Sequence, residues 1–126
     1  MCQRVHTAGK FVAVHVDGRL RGALSYLRQC GVDVIDAVTP TPMGDLTPQQ
    51  CRDEAGEMVL CGGIPATVWL PRTSDEQFEQ CVHRWLDLRD SSPRLVIASG
   101  DQVPPHAPLD RIKRVRELVD QFGRYQ

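Results

Sequence analysis

Four short apolar runs, each followed by a stretch with helical spacing of its apolar residues, constrain this chain more than any other feature. That alternation is the pattern of βα units packed around a parallel sheet, so the chain reads as an α/β fold. The runs are residues 11–17, 32–38, 58–61 and 95–99. After the first, Leu20, Ala23, Leu24 and Leu27 predict a helix near 20–30 that stops at Gly31. The turn-rich segment from Thr39 to Asp45 then leads to a helix starting at Thr47, with Pro48 in its first position and Gln50 completing a capping box. The third run passes through Gly62-Gly63-Ile64-Pro65 to an apolar patch at 66–70. A helix capped by Ser74 with Gln77 follows, burying Phe78, Cys81, Val82, Trp85 and either Leu86 or Leu88. The last helix carries Leu109, Ile112, Val115, Leu118, Val119 and Phe122 on one face and ends at Gly123. A length of 126 residues fits one domain, 1–126.

In a parallel sheet, functional loops gather at the carboxyl ends of the strands. The unusual residues of this chain fall there: Asp17 and Gly18, Asp36, the loop ending in Asp45, Gly62 and Gly63, and Gly100-Asp101-Gln102. The opposite connections are plain turns. In the first run, Val12, Val14 and Val16 would face one layer while Phe11, Ala13, His15 and Asp17 face the other. His15 and Asp17 then point to one side, where they form either a metal-capable pair or a hydrogen-bonded core histidine beside a turn aspartate.

Charge and composition narrow the partners. With 15 Lys and Arg against 16 Asp and Glu, nothing points to nucleic acid. The cluster Arg111, Lys113, Arg114 and Arg116 has acidic neighbours and reads as a solvated helix face. There is neither a membrane-length apolar stretch nor a signal-peptide hydrophobic region, so a cytoplasmic location and no membrane partner are expected. The five cysteines (Cys2, Cys30, Cys51, Cys61, Cys81) lack a Cys-x-x-Cys pair and read as reduced, packed thiols.

The order His15-Val-Asp-Gly18, Gly31-Val-Asp-Val-Ile35, Pro42-Met-Gly-Asp45, Cys61-Gly-Gly-Ile-Pro65, Gly100-Asp-Gln-Val-Pro-Pro105 and Gly123-Arg-Tyr125 resembles the carboxyl half of the uroporphyrinogen decarboxylase superfamily, which includes cobalamin-dependent methyltransferases. The resemblance implies a (β/α)8 TIM barrel of which this chain supplies the last four units, with His6 to Lys10 as the tail of the preceding helix. Where the methyltransferase branch carries thiolate zinc ligands, this chain has His15 with Asp17 and Asp101. Such a set suits Zn²⁺, Fe²⁺ or Mn²⁺ and implies a metal-assisted enzyme with a corrinoid protein as partner and no covalently bound cofactor. The alternative is a metal-free decarboxylase of a tetrapyrrole-like carboxylated substrate. In either case Asp17, Asp36 and Asp101 are the expected catalytic groups, and Gly18, Asp45, Gly63 and Gln102 the expected contacts to a small-molecule substrate. A third reading is a half-barrel without catalysis of its own. Its unpaired edges call for a homodimer or a missing amino-terminal half-barrel.

Overall fold

A computed structural model describes residues 1–125. In chain order it contains α1 (Cys2–Thr7), β1 (Ala13–His15), α2 (Ala23–Gln29), β2 (Val34–Val38), α3 (Pro48–Ala55), β3 (Val59–Ile64), a 3₁₀ turn (Ala66–Trp69), α4 (Asp75–Leu86), a second 3₁₀ turn (Asp87–Asp90), β4 (Leu95–Ser99) and α5 (Leu109–Phe122). The four strands form one parallel sheet in the order β1-β2-β3-β4. The helix starts are those the capping boxes predict. Thr47 Oγ1 accepts from Gln50 N at 3.2 Å and Ser74 Oγ from Gln77 N at 3.2 Å.

Each strand joins the sheet on the same side of the last. Parallel crossovers are right-handed, so all the connecting helices lie on one face. Burial follows from this. On the helix side, Ile35 and Leu60 are fully buried, joined by Leu24, Cys51, Ala55 and Trp85, with Val12, Val14 and Val16 packed on the margin. A second cluster between β3, α4 and α5 holds Ile64, Trp69, Phe78, Val82 and Leu118. Among the described residues the opposite face has no helix, and Ala13, His15, Asp36 and Val96 lie exposed on it.

Two expectations from sequence are corrected. The third strand does not end at Cys61 but runs to Ile64, so Gly62 and Gly63 are strand residues and not a loop at the mouth. Glycine serves close packing here. A side chain on Gly62 would strike the Val38 backbone, and one on Gly63 would enter the Trp85 indole. The expected substrate contact of Gly63 thus has Trp85 in the place where a side chain would stand.

The second correction is Arg111, which is buried rather than solvated. Its guanidinium donates to the carbonyls of Val68 and Leu70 (2.8 Å each) and Thr73 and to the Asp75 carboxylate (2.9 Å), and it lies over the Phe78 ring. Lys113, Arg114 and Arg116 keep the expected surface ion pairs, with Asp110, Glu79 and Asp120. Arg52 is a second buried arginine that sequence patterning did not flag. It donates to the Met58 carbonyl (2.7 Å), the Arg94 carbonyl and Ser92 Oγ (3.2 Å each), and the Gly56 carbonyl, tying together the amino ends of β3 and β4. Among the described residues no helix is long and apolar enough to cross a membrane.

Gly63→Ala tests the strand assignment. Its methyl group must displace Trp85, which is fully buried, at a backbone φ of 97° that also disfavours alanine. The substitution should cost about 1–3 kcal/mol from overpacking, read as a lower urea midpoint. A wild-type midpoint would show that Gly63 lies in an open loop after all.

Candidate active site

Parallel register brings the polar residues together. His15 of β1 is the direct partner of Asp36 on β2, and Cys61 of β3 is the partner of Val96 on β4. Ile35 pairs with Leu60, so Asp36 and Cys61 are the next step along their strands. His15, Asp36, Cys61 and Val96 therefore form a row across the helix-free face. Just beyond Asp36 the β2–β3 register slips, Ala37 adopts φ 69°, and Ala37 and Val38 are buried in succession. This bulge ends the strand's alternation next to the polar row, where bulges re-aim side chains.

Thr39, directly after β2, is the post on which the mouth loops rest. A side chain on Gly44 would collide with the Thr39 carbonyl, and one on Gly100 with its hydroxyl. The loop after β4 can therefore fold across the strand ends and carry Asp101 back towards β1. His15 ends between two carboxylates, with Nδ1 2.8 Å from Asp36 Oδ2 and Nε2 3.8 Å from Asp101 Oδ1. The first distance is a hydrogen bond. The second is an ion-pair separation that leaves Nε2 open to the mouth.

The electrostatics follow from these contacts. The hydrogen bond to Asp36 raises the His15 pKa above its ordinary 6.5, with Asp36, Asp101 and Asp17 adding their fields. In turn, the bond from His15 and a second from the Cys61 thiol hold the Asp36 carboxyl below its ordinary value. Burial, then the contact with Asp36, pushes the Cys61 thiol up to about 11, so it is a neutral donor and not a nucleophile.

The other expected site residues are distributed differently. Asp17 is exposed just past β1 and contributes charge to the mouth, while Gly18 turns the chain at φ 81°. The Asp45 carboxylate accepts from the backbone N–H groups of Leu20 (2.8 Å) and Arg21 (3.3 Å), and the Arg21 guanidinium donates to the Asp45 carbonyl (2.8 Å). Asp45 thereby fastens the β1–α2 connection to the β2 loop. Gln102 is exposed, and its carbonyl accepts from Ser99 Oγ. From sequence, Cys61 at the end of its strand reads as core packing ahead of ligation. Its place beside Asp36 depends on strand register, which has no local signal.

Of the expected metal set, Asp101 lies 3.8 Å from His15 Nε2, while the three side chains of His15, Asp17 and Asp101 do not close on one point. Three donors must converge on one point to hold Zn²⁺, Fe²⁺ or Mn²⁺. Among the described residues no group of three His, Cys, Asp or Glu side chains does so.

A family model described as Uroporphyrinogen decarboxylase (URO-D) matches residues 1–122, nearly the whole chain. No curated protein matches it.

The His15–Asp36 pair has a definite pH window. A raised histidine pKa contributes stability that is complete below 6.5 and is lost as pH rises through the folded value. A lowered aspartate pKa contributes stability present above 3.8 and lost as pH falls through the folded value. Imidazole NMR should therefore show His15 titrating above 6.5, and Asp36→Asn should bring it down towards that value. The stability gap between wild type and Asp36→Asn should be widest between 3.8 and 6.5 and should shrink at alkaline pH. An unchanged His15 titration in Asp36→Asn would refute the pairing.

Proposed function

Because the chain belongs to the uroporphyrinogen decarboxylase family, we propose that it supplies four βα units of a (β/α)8 barrel, with His15 as the proton donor of a metal-free decarboxylase site at the mouth. The half-barrel reading is supported by the one-sided layer: four parallel strands in sequential order, helices on a single face, and polar residues across the other. The acid role rests on one observation. The Asp36 carboxylate engages Nδ1 while Nε2 faces the mouth beside Asp101.

The chemistry follows from that arrangement. Loss of CO₂ from a carboxymethyl group breaks a C–C bond and leaves the electron pair on the substrate carbon. That carbon must then take a proton. A charged imidazole, fixed in orientation by Asp36, presents Nε2–H for this transfer and returns as neutral imidazole with Nδ1–H still donated to Asp36. Asp17 and Asp101 surround the transfer with negative charge, which favours the protonated imidazole and N–H groups of a pyrrole-like ring. No step requires a metal.

The test is CO₂ release from carboxylated pyrrole and tetrapyrrole substrates, with methyl transfer from methylcobalamin followed in parallel. Release should persist in a strong chelator and fall about 10²–10⁴-fold in His15→Ala, the usual worth of a general acid. The active form is the protonated one, so activity should decline as pH rises through the His15 pKa. Asp36→Asn should move that decline to lower pH. Zinc-dependent methyl transfer without CO₂ release would overturn the assignment in favour of a corrinoid-linked methyltransferase.

A further inference from the structure

The bulge beside the polar row has a single residue facing it, and we propose that this residue, Cys61, positions Asp36: its thiol holds the carboxylate turned towards His15 and sets how much of the negative charge the imidazole sees. The proposal rests on the acid reading of His15 above. Ile35 pairs with Leu60 and Val38 with Gly62, so Asp36 and Ala37 on β2 stand against Cys61 alone on β3. Two residues against one is the count of a β-bulge, and bulges beside a site re-aim side chains. Ala37 takes the strain, with φ 69° in a region that alanine disfavours and only 2% of its surface exposed. Such a conformation persists where the surroundings fix it.

Asp36 needs more than one anchor. Its side chain is 52% exposed, and a carboxylate with a single hydrogen bond can turn away to water. Each of its oxygens can accept more than one bond. His15 Nδ1 lies 2.8 Å from Oδ2 on the β1 side. On the β3 side the choice is narrow, because from Leu60 to Ile64 only Cys61 has a side chain that can donate. Leu60 is fully buried in the helix-side core, and Gly62 and Gly63 carry no side chain. Val96, next in the row on β4, offers the thiol no competing acceptor. The N–H of Ala37, at the bulge itself, adds a third contact to the Asp36 carboxylate.

Sulfur suits this role. A thiol is a weak donor, and this one stays protonated because burial and the neighbouring Asp36 push its pKa up to about 11. It therefore orients Asp36 while leaving most of the negative charge to face the imidazole. A hydroxyl at the same place would draw off more of that charge and weaken the hold on protonated His15. The other carboxylates that reach His15 are Asp101 and Asp17, from the loops after β4 and β1, whereas Asp36 is the one that acts on Cys61.

Carboxyl and imidazole NMR titrations of the whole chain, without substrate, test the assignment in two variants. Cys61→Ala removes the donor, so the Asp36 titration should rise from its wild-type value towards 3.8, and the Nδ1 proton of His15 should exchange faster with water. Cys61→Ser keeps the size and donates more strongly. It should return Asp36 to its wild-type value or below, and move the His15 titration down towards 6.5. In the assay for CO₂ release, the alkaline decline should follow His15 to lower pH in Cys61→Ser, with KM unchanged. If Cys61 only packs, Asp36 and His15 titrate in both variants as in wild type, with at most a lower urea midpoint, and that result overturns the proposal. Should Cys61→Ala fail to fold, Cys61→Ser decides, since a His15 titration that stays in place or rises refutes the role of the thiol. The acid reading fails separately. A chain whose titrations shift as expected but which releases no CO₂ loses the acid assignment and keeps the role of Cys61; one that releases CO₂ with wild-type titrations in both variants loses only Cys61.

Discussion

The handedness of the crossover connection governs the rest of this structure. Strands added in the order β1-β2-β3-β4, each through a right-handed turn, send every helix to one side. One face is then a conventional apolar core, with Ile35, Leu60, Leu24 and Trp85 fully buried. The other face is not covered by any of the described residues' helices. Its residues are free to be polar, and in the row from His15 to Cys61 they are. The same constraint that builds the core thus leaves the surface on which the candidate chemistry sits.

Two buried arginines hold the layer together without becoming part of that chemistry. Arg52 is held mainly by carbonyl groups at the amino ends of β3 and β4, and Arg111 by carbonyls between the 3₁₀ turn after β3 and α4. A buried guanidinium is expensive unless its donors are filled, and a planar fork of five N–H groups can fill several orphan carbonyls at once. Loop backbone with no ladder partner is what needs such a clamp. Arg111 also has the Asp75 carboxylate and the Phe78 ring face, whereas Arg52 relies on neutral acceptors, and burial lowers its pKa.

Much of this was legible in the sequence, and the misses share a physical cause. Helical spacing, capping boxes and apolar runs are local signals, and they located α3, α4, α5 and β4 closely. The convergence of His15 with Asp101 followed from strand polarity alone. What sequence spacing does not carry is register. Asp36 faces His15 because the two strands pair at that step, 21 residues apart, and no local pattern announces it. Gly62 and Gly63 look like a loop in sequence because glycine serves turns and close packing alike, and only the nearness of Val38 and Trp85 separates the two uses. Arg111 looks like a surface charge in sequence because the carbonyls that bury it lie some forty residues earlier.

The proton-handling pair and the cavity have different origins. His15 and Asp36 are neighbours in a β1–β2 ladder wholly inside this chain, and their direct hydrogen bond is the largest influence on the His15 pKa. Orientation and charge of the imidazole are therefore intrinsic to the four-strand layer. Enclosure is not, because the His15 side chain is still 58% exposed and Asp36 52%. In water the surrounding carboxylates are well screened, and their longer-range fields are correspondingly weak. Covering the face would strengthen those fields and exclude solvent from the transfer, without having to build the acid. The orientation and charge of the imidazole thus belong to the four-strand layer itself, and only its enclosure would depend on anything laid over that face.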